Sequence, residues 1–422
     1  MNPNPQTVAL VSLGCAKNAV DLQIRAGKLI KQGFALSPDP DRADLCIVNT
    51  CAFIESAREE AEAEIVRALE LKHRGNYGKV VVTGCYPKRY PKARGKFPGV
   101  DGWEGVPDRW EEPPVPGMRF TGKAIAYLKI AEGCAHRCAY CAIPAIRGKY
   151  RSRPLESILA EAKTLLATGC RELNIVAQDP MLYGCDLKGR KTRLTDLLWR
   201  LDELEGDFWV RVLYSYPSEI TEEFIGWLVN SRHAARYVDV PLQHTVPAVL
   251  EKMGRKSAIE ATRLAADLLR DLVPGITLRT TIMTGFPGET EARFNMLLSD
   301  LRRMQFDHLG CFAYSPEEGT PAEALGDPVP EEEKQRRVDE LMALQQTISL
   351  QKNEARVGRE YRVLVDRREG DYYIARTEFD SPEVDDEVLI PASRRLAIGS
   401  FQRVRITQAM EHDLMAELLP TR

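Results

Sequence analysis

A chain of 422 residues, 44% apolar and 28% charged, has room for roughly two to four ordinary domains and too much hydrophobic content to be disordered. Its formal charge of −3 gives no global attraction to nucleic acid or to an anionic membrane, so either would need a local patch. The opening, Met1 to Thr7, lacks the charged-then-apolar pattern of a secretion signal, and no run of eighteen apolar residues occurs, so a cytoplasmic protein with no membrane partner is expected.

The chain has ten cysteines. In a reducing compartment they point to metal ligands or catalytic thiols rather than disulfides, provided their spacing agrees. The first region repeats one pattern three times. Val8-Ala9-Leu10-Val11 runs into Ser12-Leu13-Gly14-Cys15, Leu45-Cys46-Ile47-Val48 into Asn49-Thr50-Cys51, and Val80-Val81-Val82 into Thr83-Gly84-Cys85. Each run is a short buried-type strand, with helix-forming sequence from Glu55 to Leu71 between the last two. Strands alternating with helices predict an α/β fold with a doubly wound parallel sheet, whose sites form beyond the carboxyl ends of the strands. All three strands would then deliver a cysteine to one edge. Cys46 lies inside its strand and is assigned to packing.

Glu111-Glu112-Pro113-Pro114-Val115-Pro116-Gly117 has no periodicity and reads as a linker. Beyond it, strand-like runs at Tyr127–Ile130, Leu173–Val176, Val210–Tyr214, Tyr237–Val240, Thr277–Met283 and His308–Tyr314 alternate with helical segments such as Leu155 to Thr168 and Ser257 to Leu272. Six such units suit a partial (β/α) barrel, with its chemistry in the loops after the strands. Pro328-Val329-Pro330 marks a second break, before a helical pattern to about Arg356 with Val338, Leu341, Met342 and Ile348 on one stripe. Four strand-like runs follow, at Tyr361–Val365, Tyr372–Ala375, Glu387–Ile390 and Phe401–Ile406, the pattern of a small all-β barrel of OB-like type.

The most specific motif follows the first strand of the middle region. Cys134, Cys138 and Cys141 are spaced C-x₃-C-x₂-C, so a compact loop can wrap three thiolates around one face of a cubane cluster. A structural zinc site wants four closed ligands, and His136 is too close to its neighbours to be the fourth. Three cysteines on a four-iron cluster leave one iron open. A zinc or simple redox loop is the plainer alternative.

This loop with its flanks, Ala126-Tyr127-Leu128-Lys129-Ile130-Ala131-Glu132-Gly133-Cys134, Cys141-Ala142-Ile143-Pro144 and Arg147-Gly148-Lys149-Tyr150-Arg151-Ser152-Arg153-Pro154, resembles the methylthiotransferase branch of the radical S-adenosylmethionine superfamily. The resemblance covers essentially the whole chain. It implies an amino-terminal methylthiotransferase domain over 1–112, a radical S-adenosylmethionine domain over 118–355, and a TRAM-like substrate-binding domain over 356–422. It also implies two four-iron four-sulfur clusters, one on Cys134, Cys138 and Cys141 and one on Cys15, Cys51 and Cys85. S-adenosylmethionine would chelate the open iron of the first, with Tyr140 at the adenine and Gln178 in hydrogen-bond reach of the cofactor. Reductive cleavage would generate a radical that removes a substrate hydrogen, and the second cluster would hold the methylated sulfur that meets the carbon radical. An electron donor is a necessary partner.

Within the branch, Ser12-Leu13-Gly14-Cys15-Ala16-Lys17-Asn18-Ala19-Val20-Asp21, Asn49-Thr50-Cys51-Ala52-Phe53-Ile54, Gly84-Cys85-Tyr86-Pro87 and Val212-Leu213-Tyr214-Ser215-Tyr216-Pro217 resemble the RimO type. That type modifies the β-carbon of an aspartate in ribosomal protein S twelve. Residues 356–422 agree, with eleven arginines against thirteen acidic residues and no lysine. A mildly acidic module suits a basic protein better than RNA, unless the arginines cluster, and direct sequence-specific nucleic-acid binding is not expected. Several positions depart from the type: Ala16 where proline is usual, Leu22-Gln23 in place of Ser-Glu, Pro180-Met181 in place of two threonines, and Thr245-Val246-Pro247 in place of a small polar segment. These put cofactor and substrate contacts at those loops in question.

The alternatives are a transfer RNA adenosine methylthiotransferase of the same branch, a non-catalytic iron–sulfur carrier, and a translation-associated binding module with vestigial clusters. Of the other thiols, Cys170 and Cys311 read as core or loop residues, and Cys185 follows the second barrel strand with nothing to pair with. His244 is open between a structural and an active role. Thr284-Gly285-Phe286-Pro287-Gly288 is a tight turn whose glycines allow a ligand close to the backbone.

Overall fold

The computed structural model describes residues 5–107, 110, 119–187, 192–255 and 258–420; the expected linker Glu111–Gly117 and the helix start at Ser257 lie outside the described residues. The amino-terminal sheet has five parallel strands: β1 (Thr7–Ser12), β2 (Ala35–Leu36), β3 (Ala43–Thr50), β4 (Tyr77–Gly84) and β5 (Gly102–Gly105). Their order is β2-β1-β3-β4-β5, with α1 (Ala16–Lys31), α2 (Glu55–His73) and the short α3 (Cys85–Arg89) following β1, β3 and β4. Strand order reverses between β1 and β3, the place where ligands enter doubly wound sheets. Sequence reasoning missed β2 and β5. The first is two residues long, and the second, Gly-Trp-Glu-Gly, has the composition of a turn and becomes a strand only by pairing with β4.

The central region contributes β6 (Ile125–Lys129), β7 (Ala131–Glu132), β8 (Arg151–Ser152), β9 (Glu172–Val176), β10 (Trp209–Val212), β11 (Ala234–Asp239), β12 (Thr277–Thr284) and β13 (His308–Ala313). Six of them form an open parallel sheet ordered β13-β12-β11-β10-β9-β6, the expected partial barrel. Its helices are α4 (Ile143–Arg147), α5 (Leu155–Ala167), α6 (Leu194–Asp202), α7 (Glu222–Asn230), α8 (Pro247–Lys252), α9 (Ala258–Leu272), α10 (Glu291–Met304) and α11 (Glu331–Glu354). Leu128, Leu173, Ile175, Val210, Val238 and Ile282 from the strands meet Leu159, Leu197, Phe224 and Phe294 from the helices in one core. In α11 the buried face departs from the apolar stripe. Leu341 and Ile348 are buried, but Val338 and Met342 only partly, while Lys334, Arg337 and Gln345 are buried because each caps barrel groups. Lys334 donates to the Tyr314 carbonyl, Arg337 to Glu289, and Gln345 to the Phe306 carbonyl.

The last region is a closed barrel of β14 (Glu360–Glu369), β15 (Tyr372–Thr377), β16 (Glu387–Pro391), β17 (Phe401–Ala409) and β18 (Asp413–Leu418), ordered β14-β15-β16-β18-β17. The strand β18, Asp-Leu-Met-Ala-Glu-Leu, is rich in helix formers, and ring closure between β16 and β17 overrides that preference.

The connection from β15 to β16 plugs the amino-terminal half of the central barrel. Arg211 donates to the Glu378 carbonyl at 2.9 Å, Tyr127 to Glu383 at 3.3 Å and Tyr237 to Asp385 at 2.7 Å, and Arg279 also pairs with Asp385. Glu172, fully buried, joins Arg211 of β10 (2.9 Å) to Arg376 of β15 (2.7 Å). Against the same connection lies His308, the first residue of the edge strand β13. Burial works against its charge, but Asp385, Asp380 and Asp386 outweigh it and raise its pKa from 6.5 to about 9. A raised folded-state value stabilises fully below 6.5 and is lost as pH rises through about 9; the linkage is worth about 3 kcal/mol. The thermal unfolding midpoint is therefore expected to fall between pH 6.5 and 9 in the parent. His308→Gln should be less stable at pH 6.5 and flatter across that window, and parallel pH profiles for the two would refute the assignment.

Candidate functional site

The antiparallel pair β7–β8 clamps the base of the loop that holds Cys134, Cys138 and Cys141, directly beyond β6. Gly133 starts it at φ +75°, where a Cβ would lie 2.2 Å from the Lys149 carbonyl oxygen, so the two arms can cross only at glycine. The Cys141 N–H donates to the Cys138 carbonyl at 3.1 Å, and Ala139 is held to Met253 of the α8 end at 2.9 Å. Burial raises the Cys134 thiol and pushes Cys141 up to about 12.

A buried arginine stands beside this triad. Arg255 donates from Nη1 to Cys138 Sγ at 3.5 Å and from Nη2 to the Pro241 carbonyl at 2.6 Å, and lies 4.3 Å over the Tyr216 ring. His136 stacks on the same ring at 3.8 Å and pairs with Asp179 Oδ2 at 2.6 Å, so it is committed elsewhere than to a metal. Tyr140 packs edge-on against Phe286 at 6.3 Å, with its hydroxyl toward Cys138. Gln178 follows β9 and donates to Glu132 Oε1 at 3.1 Å, while its own Oε1 is buried and unpaired.

The three cysteines of the amino-terminal domain stand at the carboxyl-terminal edge of its parallel sheet. Cys15 precedes α1, Cys51 follows β3, and Cys85 follows β4. Gly14, at φ +86°, lets the first loop close on the second; a Cβ there would sit 2.8 Å from Cys51 Cβ and 3.2 Å from its Sγ. Cys85 lies within electrostatic range of both Cys51 and Cys15. Burial raises Cys51, and raises Cys85 to about 11 against the opposing pull of Arg147. Cys15 keeps an exposed face but lies deep among protein atoms. That crowding opposes its thiolate, and Lys17, Arg147 and the N–H groups of Asn18 and Lys17 outweigh it, so its pKa is lowered.

The two loops face each other across a domain boundary closed by buried charges. Asp21 of α1 meets Lys129 of β6 and Arg147 of α4, and Glu132 of β7 meets Lys129 at 2.6 Å and Arg147 at 3.1 Å. Lys17 lies 3.6 Å over the Tyr214 ring, and Arg89 bonds the Ala52 carbonyl (2.7 Å) and Glu317 (3.1 Å). Beneath, at the carboxyl ends of β10 to β12, Ser215 Oγ, Asp239 Oδ1, Gln243 Oε1, Thr245 Oγ1 and Thr284 Oγ1 are buried without a partner. Burial raises Asp239 to about 6. Tyr214 and Gln243, just beyond β10 and β11, are non-glycine residues at φ +69° and +75°. Unpaired polar atoms and strained backbone at strand ends mark a ligand site.

His244 resolves to a structural role: Nε2 pairs with buried Glu289 at 2.9 Å and Nδ1 accepts from the Val246 N–H at 3.0 Å. Cys46 is buried in β3 as expected, Cys170 is buried, Cys311 lies on β13, and Cys185 is exposed on a shallow cavity away from both triads. Sequence reasoning missed Arg255, Asp239, Asp21 and Glu132 as site residues; Asp239, which ends an apolar strand at the active edge, had the clearest local signal. No group of three or more His, Cys, Asp or Glu side chains among the described residues is gathered tightly enough for a single ion. Thiolates that each bind a different iron of one cubane stand farther apart than ligands sharing one metal.

An open parallel barrel with a C-x₃-C-x₂-C loop beyond its first strand defines an enzyme of the radical S-adenosylmethionine class, and residues 128–301 match the Radical SAM superfamily. Residues 7–105 match Uncharacterized protein family UPF0004, and residues 357–419 match the TRAM domain. Proteins named ribosomal protein uS12 methylthiotransferase RimO are similar along nearly the whole chain. The one from Desulforudis audaxviator is 42% identical, covering 98% of this chain and 97% of the relative; that from Clostridioides difficile is 41% identical, covering 98% of each. The chain belongs to the RimO family of uS12 methylthiotransferases. Among solved structures, the radical S-adenosylmethionine methyltransferase TsrM from Kitasatospora setae, with cobalamin and a [4Fe-4S] cluster bound, shares the fold at a TM-score of 0.54 and 19% identity over 76% of this chain and 77% of its own.

The buried charge group gives a direct test. Lys129→Met leaves Asp21 and Glu132 with Arg147 alone, and breaking a buried ion network in this way costs about 3–5 kcal/mol. A corresponding drop in unfolding free energy is expected in denaturant titrations; a loss below about 1 kcal/mol would show that the group is not closed to water.

Proposed function

We propose that this protein adds a methylthio group to the β-carbon of an aspartate in ribosomal protein uS12, in the cytoplasm, using S-adenosylmethionine and electrons from a separate donor. The observation that supports the proposal is that buried charges join the two cysteine-bearing domains, with a buried arginine on one thiol of each. Cys134, Cys138 and Cys141 are assigned to one four-iron cluster and Cys15, Cys51 and Cys85 to the other, with domain limits of 1–112, 118–355 and 356–422.

The residues present suit these groups. Three sulfur donors per site match clusters with one open iron. The unpaired Gln178, Ser215, Gln243 and Thr245 atoms below the first loop suit a polar cofactor at the barrel mouth, where Tyr140 is within the same loop. When bound, the cofactors supply homolytic hydrogen abstraction and the sulfur to be transferred. The protein excludes water by closing the domain boundary, holds its thiols beside fixed guanidinium groups, and presents Asp239 at the barrel mouth as a carboxyl that changes charge near pH 6.

The terminal barrel supports a protein substrate over RNA. Several of its arginines are held in ion pairs: Arg376 is buried against Glu172 and Asp366, Arg367 pairs with Glu387, and Arg403 and Arg405 pair with Glu360. Arginines held in such pairs give little counterion release on phosphates.

Anaerobic reconstitution is expected to load about eight irons per chain, and the protein should then add methylthio mass to uS12. The C134A/C138A/C141A variant should keep about four irons and lose cleavage of S-adenosylmethionine to deoxyadenosine. The C15A/C51A/C85A variant should keep cleavage and lose methylthio transfer. Modification of transfer RNA instead of uS12 would reject the substrate, and absence of cleavage in the loaded parent would leave an iron–sulfur carrier.

A further inference from the structure

Arg147 ends α4 in the radical S-adenosylmethionine region, yet its guanidinium reaches the cysteine triad of the other domain. One arm is clamped: Nη1 donates to Asp21 Oδ2 at 2.6 Å and to Glu132 at 3.1 and 3.2 Å. Because a guanidinium is planar, this clamp aims the other arm. Nη2 donates to Asn18 Oδ1 at 3.2 Å and to Cys85 Sγ at 3.3 Å. Asn18 is itself fixed by donating to the carbonyls of Leu13 and Thr50, in the loops that hold Cys15 and Cys51, at 2.7 and 3.2 Å. The Arg147 side chain is 1% exposed, so water does not compete for its donors.

Lys129 binds the same two carboxylates. Lys17 is the further cation acting on Cys15, and in this group two cations balance two carboxylates, so thiolate charge at Cys85 is not met by a surplus of fixed positive charge. It is met by a directed donor. Hydrogen bonds to cluster sulfurs raise the reduction potential, because they stabilise the more negative reduced state.

We propose that Arg147 is a positioning residue for the second cluster, donating across the domain boundary to the Cys85 thiolate and raising that cluster's reduction potential, so that domain docking sets the potential. The proposal rests on the assignment of Cys15, Cys51 and Cys85 to a four-iron cluster. It places the control of one domain's redox centre in a side chain of the other.

The test uses the full chain with C134A, C138A and C141A, so that only the second cluster gives a signal. Its midpoint is followed by anaerobic potentiometric titration with electron paramagnetic resonance. R147Q removes the charge and the fork, and its midpoint should move to lower potential at unchanged iron content. R147K keeps a charge but lacks a second arm to reach Cys85 while holding Asp21 and Glu132, so its midpoint should fall between those of R147Q and the parent. An R147Q protein that holds about four irons and keeps the parent midpoint overturns the proposal. If R147Q does not retain iron, R147K decides: a lowered midpoint supports the proposal and the parent midpoint overturns it. A parent variant that loads no cluster overturns the second-cluster assignment itself, an outcome distinct from an unshifted midpoint.

Discussion

The molecule depends on four charges buried where its first two domains meet. Asp21 comes from the amino-terminal sheet domain, and Lys129, Glu132 and Arg147 from the barrel. None is stable alone out of water, and separating the domains would strand three of them on one side with a net positive charge. Docking is therefore selective in angle as well as favourable. The acid on α1 must meet both cations, and that register brings the loop edge of the doubly wound sheet over the mouth of the barrel. The hydrophobic effect supplies most of the folding energy but is indifferent to direction. The ion group is what orients the two cysteine loops toward one space.

The opposite end of the barrel is closed by another set of buried charges. Glu172 with Arg211 and Arg376, and His308 with the aspartates of the β15–β16 connection, plug its amino-terminal half. A six-stranded open sheet would otherwise admit water from both ends. At the other end, Ser215, Asp239, Gln243, Thr245 and Thr284 each leave a buried polar atom without a partner. Buried ion pairs thus close the domain boundary and the far end of the barrel, while the barrel mouth keeps a cluster of unsatisfied polar groups at its strand ends. The positive φ values at Tyr214 and Gln243 fall at the same mouth, where the chain turns sharply off β10 and β11.

Much of this was legible in one dimension because its signals are local. The cysteines fall within a few residues of apolar runs that form strands, so their common edge follows from the rule for parallel sheets. Of the six barrel strands, β6, β9 and β10 are short and fully buried, and the apolar runs of all six show in the sequence. What failed was short or context-made: β5 is glycine-rich, β18 is built of helix formers, and the buried side of α11 is largely polar because it caps barrel carbonyls and Glu289. In each case pairing or burial overrode intrinsic preference.

The sequence by itself determined the six thiols, the strand ends that present them and the order of the three domains, since each is encoded by neighbours in the chain. Only the tertiary structure decided which cations stand beside those thiols. Arg147 lies 126 residues from Asp21 and 62 from Cys85, and Arg255 lies 117 from Cys138. No periodicity or spacing reports contacts of that range. They arise when whole sheets dock and buried charge must find its partner.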